Sequence, residues 1–165
     1  MKRKRKCPAF CLAALAALLL FGCRQKEYLD ENAGKGQYSI YYLNTGMTKT
    51  LPIEYITETK EPLELIQELY GQLVNVPTDV DAKSPLPAKT ELWRFQWDSN
   101  VLFLYFDAGY GLMDSSQEIL CRAALTKTLT QIEGVEFLSI YSGEQPLMDA
   151  LGNPVGIMSA GDFMD

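Results

Sequence analysis

Residues 101–141 read VLFLYFDAGYGLMDSSQEILCRAALTKTLTQIEGVEFLSIY, and this stretch decides the fold. The first six residues, Val101-Leu102-Phe103-Leu104-Tyr105-Phe106, form an unbroken apolar run of strand length, which predicts a buried β-strand. Residues 107–111, with Gly109 and Gly111, predict a loop. Residues 115–132 repeat apolar positions at helical spacing. At about 100° per residue, Leu120, Cys121, Ala124, Leu125, Thr128, Leu129 and Ile132 share one side, while Arg122, Thr126, Lys127 and Thr130 face away. Ser115 and Ser116 are candidate caps, and Glu118 stands at capping-box spacing from the first. Gly134 closes the helical region, and residues 135–141 predict a second strand. The unit is strand, helix, strand.

Upstream of it, residues 91–97 alternate sharply, with Trp93, Phe95 and Trp97 on one face and Leu92, Arg94 and Gln96 on the other. Asp98-Ser99-Asn100 turns this strand back into residues 101–106, giving an antiparallel hairpin. The aromatic row supports two expectations: a core face beneath a helix, or a surface on which a protein or ligand docks. Residues 75–90 carry Pro77, Pro85, Pro87, Asp79 and Asp81, a connection longer than most. Pro62 suits the first position of a helix, and Leu63, Ile66, Leu69, Tyr70 and Leu73 continue it at helical spacing. Residues 38–43 and 50–57 predict the first two strands around Asn44-Thr45-Gly46, with Pro52 placing the second at an edge. The expected architecture is an α/β (α+β) fold in the order β-β-α-β-β-α-β. Its small mixed sheet has about four to five strands with two helices on one face. An irregular C-terminal tail, residues 144–165, follows the core at 38–143.

The N-terminus predicts the compartment. Lys2-Arg3-Lys4-Arg5-Lys6 precedes an apolar run at residues 9–21, too short to span a bilayer comfortably, as in a secretory signal peptide. The run ends on Leu20-Phe21-Gly22-Cys23, a match to the bacterial lipobox. Residues 1–22 are thus expected to be removed and Cys23 to be acylated, anchoring the chain to the outer face of the cytoplasmic membrane, with residues 23–37 as a flexible tether. Of the 15 Lys and Arg, five stand at positions 2–6, leaving 10 against 21 Asp and Glu, a net of −11. Such a balance repels phosphate backbones and excludes nucleic acid as a partner. After Cys23 only Cys121 remains, so the domain holds together without an internal disulfide.

Chemistry is sparse. The chain has no histidine, which removes the commonest general base and every nucleophile mechanism built on imidazole. Carboxylate pairs remain, but Asp79, Asp81, Asp98, Asp107, Asp114 and Glu118 are scattered over loops, where acidic residues serve as turn formers. Asp79-Val80-Asp81 lacks the further ligands of a calcium loop, and Gly109-Tyr110-Gly111 lacks the Lys of a phosphate loop. No catalytic residue, metal site or cofactor is expected. The candidate contact residues are Trp93, Trp97, Arg122 and Lys127.

Several segments in order resemble the GerMN, or sporulation and spore-germination, domain. They are Tyr41-Tyr42-Leu43-Asn44, residues 65–71, residues 84–92, residues 101–107 with the terminal acidic residue, and residues 124–130 followed by Val135 and the last strand. The resemblance implies a compact domain with two helices on one side of a small sheet, in exported and often lipid-anchored proteins of endospore-forming bacteria. It implies a role in envelope assembly during sporulation or in germination and carries over no catalytic residue. The expected partner is an envelope protein, with a cell-wall fragment or small ligand bound by the aromatic row and the 75–90 connection as the alternative. The chain has room for one such domain, where spore proteins of the family often have two.

Overall fold

The computed structural model describes residues 34–163. The expected signal peptide, Cys23 and residues 24–33 of the expected tether lie outside the described residues, and the last two tether positions, Gly36 and Gln37, begin the first strand. The elements run β1 (Gly36–Asn44), β2 (Thr50–Thr57), α1 (Pro62–Val74), β3 (Ala82–Lys83), β4 (Leu92–Asp98), β5 (Val101–Phe106), α2 (Ser115–Leu129), β6 (Phe137–Ser142), β7 (Gln145–Pro146) and β8 (Ile157–Met158), with 3₁₀ turns at Tyr110–Leu112 and Ala160–Asp162. The expected α+β order holds. Instead of one sheet, however, the strands form two: β2-β1-β3, and a five-stranded sheet ordered β4-β5-β6-β7 with β8 also on β6.

The physical reason for two sheets lies at the second edge of β1. Its Tyr41 N–H donates to Thr128 Oγ1 of α2 at 3.0 Å. Just beyond α2, the Gln131 carboxamide accepts from Ser39 N–H at 2.9 Å and donates to the Ser39 carbonyl at 2.7 Å. Helix side chains thus satisfy backbone groups that a strand of the other sheet would otherwise take. The same geometry places Pro52. Tyr41 faces Pro52 in the β1–β2 register, and because Tyr41 turns its N–H away from β2, the pair is a non-hydrogen-bonded one. Proline's missing donor therefore falls on the outer edge, where it costs no ladder bond.

β5 and β6 run parallel, joined by α2, with Leu102 opposite Leu138 and Leu104 opposite Ile140. Leu102, Leu104, Phe106, Leu125, Leu129 and Leu138 are all fully buried, each contributing about 1.5–3 kcal/mol by leaving water. α2 starts on Asp114, whose carboxylate accepts from the N–H groups of Ser116 and Gln117. The cap is the aspartate rather than Ser115 or Ser116, and it satisfies two of the orphan donors of the first turn. α1 opens on Pro62 and buries Leu65, Ile66, Leu69 and Leu73; Leu63 lies outside that stripe, exposed.

The tail is less irregular than its Gly and Pro content predicts. β7 and β8 pair antiparallel with β6, and Leu147 and Met158 enter the core. Strands of two residues are too short to show alternation in sequence. The 75–90 connection is also packed: Leu86 is buried, and the Ser84 hydroxyl donates to the Leu73 carbonyl at 2.8 Å.

Candidate functional site

Strand alternation gives β5 two unlike faces. Leu102, Leu104 and Phe106 point into the core, and Phe103 and Tyr105 stand half-buried on the other face, outside the core cluster. The register sets Arg94 of β4, Tyr105 of β5 and Tyr141 of β6 in one row across three strands. The Arg94 guanidinium carbon lies 3.5 Å from the Tyr105 ring centroid. Tyr105 stacks on Tyr141 at 4.7 Å with 27° between planes, and Phe103 tilts toward Tyr141 at 6.4 Å. Ser139 pairs with Ile157 of β8, which extends the apolar surface and is itself exposed. An exposed Arg over an aromatic ring contributes about 0.5–1 kcal/mol, and it holds the ring flat against the sheet. The arrangement is a preformed aromatic row with a cation at one end.

The Trp93, Phe95, Trp97 row does not stay together. A β-bulge between Leu92 and Arg94 shifts the β4–β5 register by one residue, and a one-residue shift exchanges the faces. Leu92, Phe95 and Trp97 pack against the core, and Trp93 is 59% exposed. Of the candidate contact residues on β4, Trp93 is available to a partner, whereas Trp97 packs inward beside Gly134. A Cβ at Gly134 would lie 2.9 Å from the Trp97 ring, and Gly134 has φ +88.

α2 requires a second correction. Thr126 and Lys127, expected on an open face, are buried along with every residue from Ala123 to Leu129. The helix touches β1, β2, β6 and α1, so its far side is enclosed rather than solvated. Lys127 spans this boundary, its Nζ 5.5 Å from the Tyr41 ring centroid, and is no surface contact residue. The threonines suit this enclosure: Thr128, on the inward side as expected, accepts from Tyr41, and the outward-expected Thr130 hydroxyl donates to the Thr126 carbonyl at 2.7 Å.

Arg122 stays partly open. Its Nε approaches Glu118 Oε2 at 3.4 Å, with side-chain exposures of 17% and 13%. Glu118 Oε1 receives the Tyr110 hydroxyl at 3.5 Å. Burial pushes the Glu118 carboxyl above its ordinary value, against the opposing pull of Arg122 and Tyr110. Cys121, fully buried beneath, contacts the Tyr110 hydroxyl; burial pushes its thiol far up. A thiol so disfavoured as thiolate is inert, a small hydrophobe in the core.

Two loop carboxylates hold turns of the fold. Asp107 accepts from Gly109 N–H, and Asp149 accepts from Leu151 and Asn153 N–H. Among the described residues no group of three His, Cys, Asp or Glu is placed to hold a metal, and no helix is long and apolar enough to cross a membrane. Sequence reasoning missed Arg94, Phe103, Tyr105 and Tyr141 as a surface. The available signal was the polar face of β4, because Arg94 and Gln96 pair with Tyr105 and Phe103.

The fold and its surfaces define a small α+β domain with an open aromatic sheet face. Residues 39–147 match the family Germane, described as sporulation and spore germination, and the chain belongs to that family. Among solved structures, a candidate lipoprotein from Clostridium perfringens is similar at 20% identity and a TM-score of 0.52, covering 79% of this chain and 91% of that one. The tandem GerMN domains of the sporulation protein GerM from Bacillus subtilis align at 16% identity and a TM-score of 0.59, over 82% of this chain and 49% of theirs. The first GerMN domain of the same protein aligns at 13% identity and a TM-score of 0.55, over 72% of this chain and 92% of the domain. At these identities the likeness is one of fold. No curated protein matches the chain.

Proposed function

We propose that this chain is a lipid-anchored, non-catalytic domain of the cell envelope that binds an envelope protein through the outer face of its five-stranded sheet, in sporulation or germination. The observation that carries the reading is the row Arg94, Tyr105, Tyr141 and Phe103, ordered by stacking yet outside the core. A sheet face serving only its own fold is expected to alternate into polar residues there, and rigid aromatics with Arg are the side chains enriched at the centres of interfaces. The family description supports the setting, and the likeness to a candidate lipoprotein supports the anchor. In this reading residues 1–22 are the signal peptide, acylated Cys23 holds the membrane, and the tether runs from there to the start of β1 at Gly36, two residues before the expected start of the domain at 38.

The test is photo-crosslinking in cells from position 103, on the aromatic face, and from Glu64, exposed on α1. A discrete protein adduct should arise from position 103 alone and disappear in the Tyr141→Ser variant. Equal adducts from both positions, or none from 103, would overturn the docking face. For the anchor, Cys23→Ala should move the chain out of the membrane fraction; retention there would sink the lipidation. A ligand-binding role has one specific observation in its favour, the Glu118–Arg122 pair at the floor of a cleft.

A further inference from the structure

Between the N-terminal half of α2 and the loop after β7 lies a cleft of about 430 Å³, within the size range of small-molecule sites. Its floor is the Glu118–Arg122 pair. Its walls are mixed, with Met113, Ile119, Leu147 and Met148 supplying the apolar part beside Ser115, Gln145 and Asp149. We propose that this cleft binds a small zwitterion of amino-acid to dipeptide size, its carboxylate on Arg122, its ammonium on Glu118 and its side chain among the walls.

Three observations carry this, and none involves the aromatic sheet face. First, the guanidinium is underused. Its Nε is buried without a hydrogen bond, and its one partner among the described residues is Glu118, at 3.4 Å. A guanidinium has five donors arranged in a planar fork that fits a carboxylate. Second, the pair is a poor stabiliser. Partly buried charges lose hydration, and a long contact returns little of it, so replacement by apolar residues is often neutral or better for stability. A ligand that completes the hydrogen bonding of both charges gives the pair a purpose that folding alone does not. Third, the lining carries both signs, with anions in excess. One cation beside one anion, with Asp149 also on the lining, repels a phosphate dianion yet suits a molecule bearing both charges. The apolar part of the walls favours an aliphatic side chain.

The test is calorimetry on the full chain in detergent with leucine, alanyl-leucine, leucinamide and N-acetylleucine. Leucine or alanyl-leucine should bind with millimolar or lower Kd, and which of the two is tighter separates a free amino acid from a peptide. Leucinamide lacks the carboxylate and N-acetylleucine the ammonium; each should bind at least about tenfold more weakly than its parent. Arg122→Lys should weaken binding by about tenfold, because an ammonium cannot make the bidentate pair. Because altering either charge can disturb folding, Ala150→Trp, on the exposed rim away from the pair, should abolish binding while the thermal midpoint stays put. Absence of binding at about 10 mM to both zwitterions, a level corresponding to roughly 3 kcal/mol of affinity, would overturn the proposal. So would equal binding of the blocked derivatives, or binding unaffected by Ala150→Trp.

Discussion

Thr128→Val tests whether α2 seals the second edge of β1. Thr128 is fully buried, and its Oγ1 accepts the Tyr41 N–H at 3.0 Å. Valine keeps the branched shape and nearly the volume, so no cavity opens, but it strands the Tyr41 N–H among protein atoms. An unpaired buried donor costs about 1–3 kcal/mol. Valine also removes a hydroxyl from the interior, which returns a few tenths to about 1 kcal/mol. The expected net loss is therefore roughly 1–2 kcal/mol, or about 4–8 °C in Tm for a domain of this size. Thr130→Val is the internal control. Its hydroxyl donates to the Thr126 carbonyl, which the Thr130 N–H already reaches at 3.0 Å, so that acceptor stays satisfied. Its loss should stay below about 0.5 kcal/mol. Urea unfolding followed by tryptophan fluorescence gives both values, and amide exchange at Tyr41 should quicken in the first variant alone. Equal losses in the two variants, or a neutral Thr128→Val, would refute the edge-sealing reasoning.

Three further outcomes are expected. Gly134→Ala should cost about 2–4 kcal/mol, from a left-handed backbone and a Cβ pressed on the Trp97 ring at 2.9 Å; a loss under about 0.5 kcal/mol would mean that the ring moves freely. Trp97→Ala should cost about 3 kcal/mol by emptying a packed site, whereas Trp93→Ala, at an exposed bulge, should leave urea stability within about 0.5 kcal/mol. For Glu118, burial raises the folded-state pKa above its ordinary 4.5, over the opposition of Arg122 and Tyr110. The folded chain thus holds the proton more tightly than the unfolded one, so this contribution is full below the ordinary value and is lost as pH rises through the raised one. Stability of the native chain relative to Glu118→Gln should fall as pH climbs upward from about 4.5; a constant difference would count against the burial of that carboxyl.

The β5–α2–β6 unit was legible because each of its parts is long enough to show a period. The same criterion explains the misses. β5 is apolar at every position, so alternation could not reveal that Phe103 and Tyr105 face outward. The bulge at Trp93 is a backbone event with no residue type of its own, and it moved Trp97 inward with Leu92. On α2, Thr126 and Lys127 read as a solvated face because polarity by itself does not disclose the elements packed over it; the inward place of Thr128 follows from the helical period, but its partner, the Tyr41 N–H, comes from 87 residues away. β7 and β8 are held by pairing to β6, a long-range contact invisible in a stretch punctuated by Gly152, Pro154 and Gly156.

The sealed edge of β1 also bears on how copies of the domain could meet. Strand-to-strand growth from one chain to the next needs a row of open amide and carbonyl groups. β1 spends its row on Thr128 and Gln131, β2 breaks its own with Pro52, and β4 is interrupted by the bulge at Trp93. Each long edge thus carries its own obstacle to templating. The domain can therefore remain unpolymerised through its sheets even when crowded, leaving encounters between molecules to faces rather than to borders.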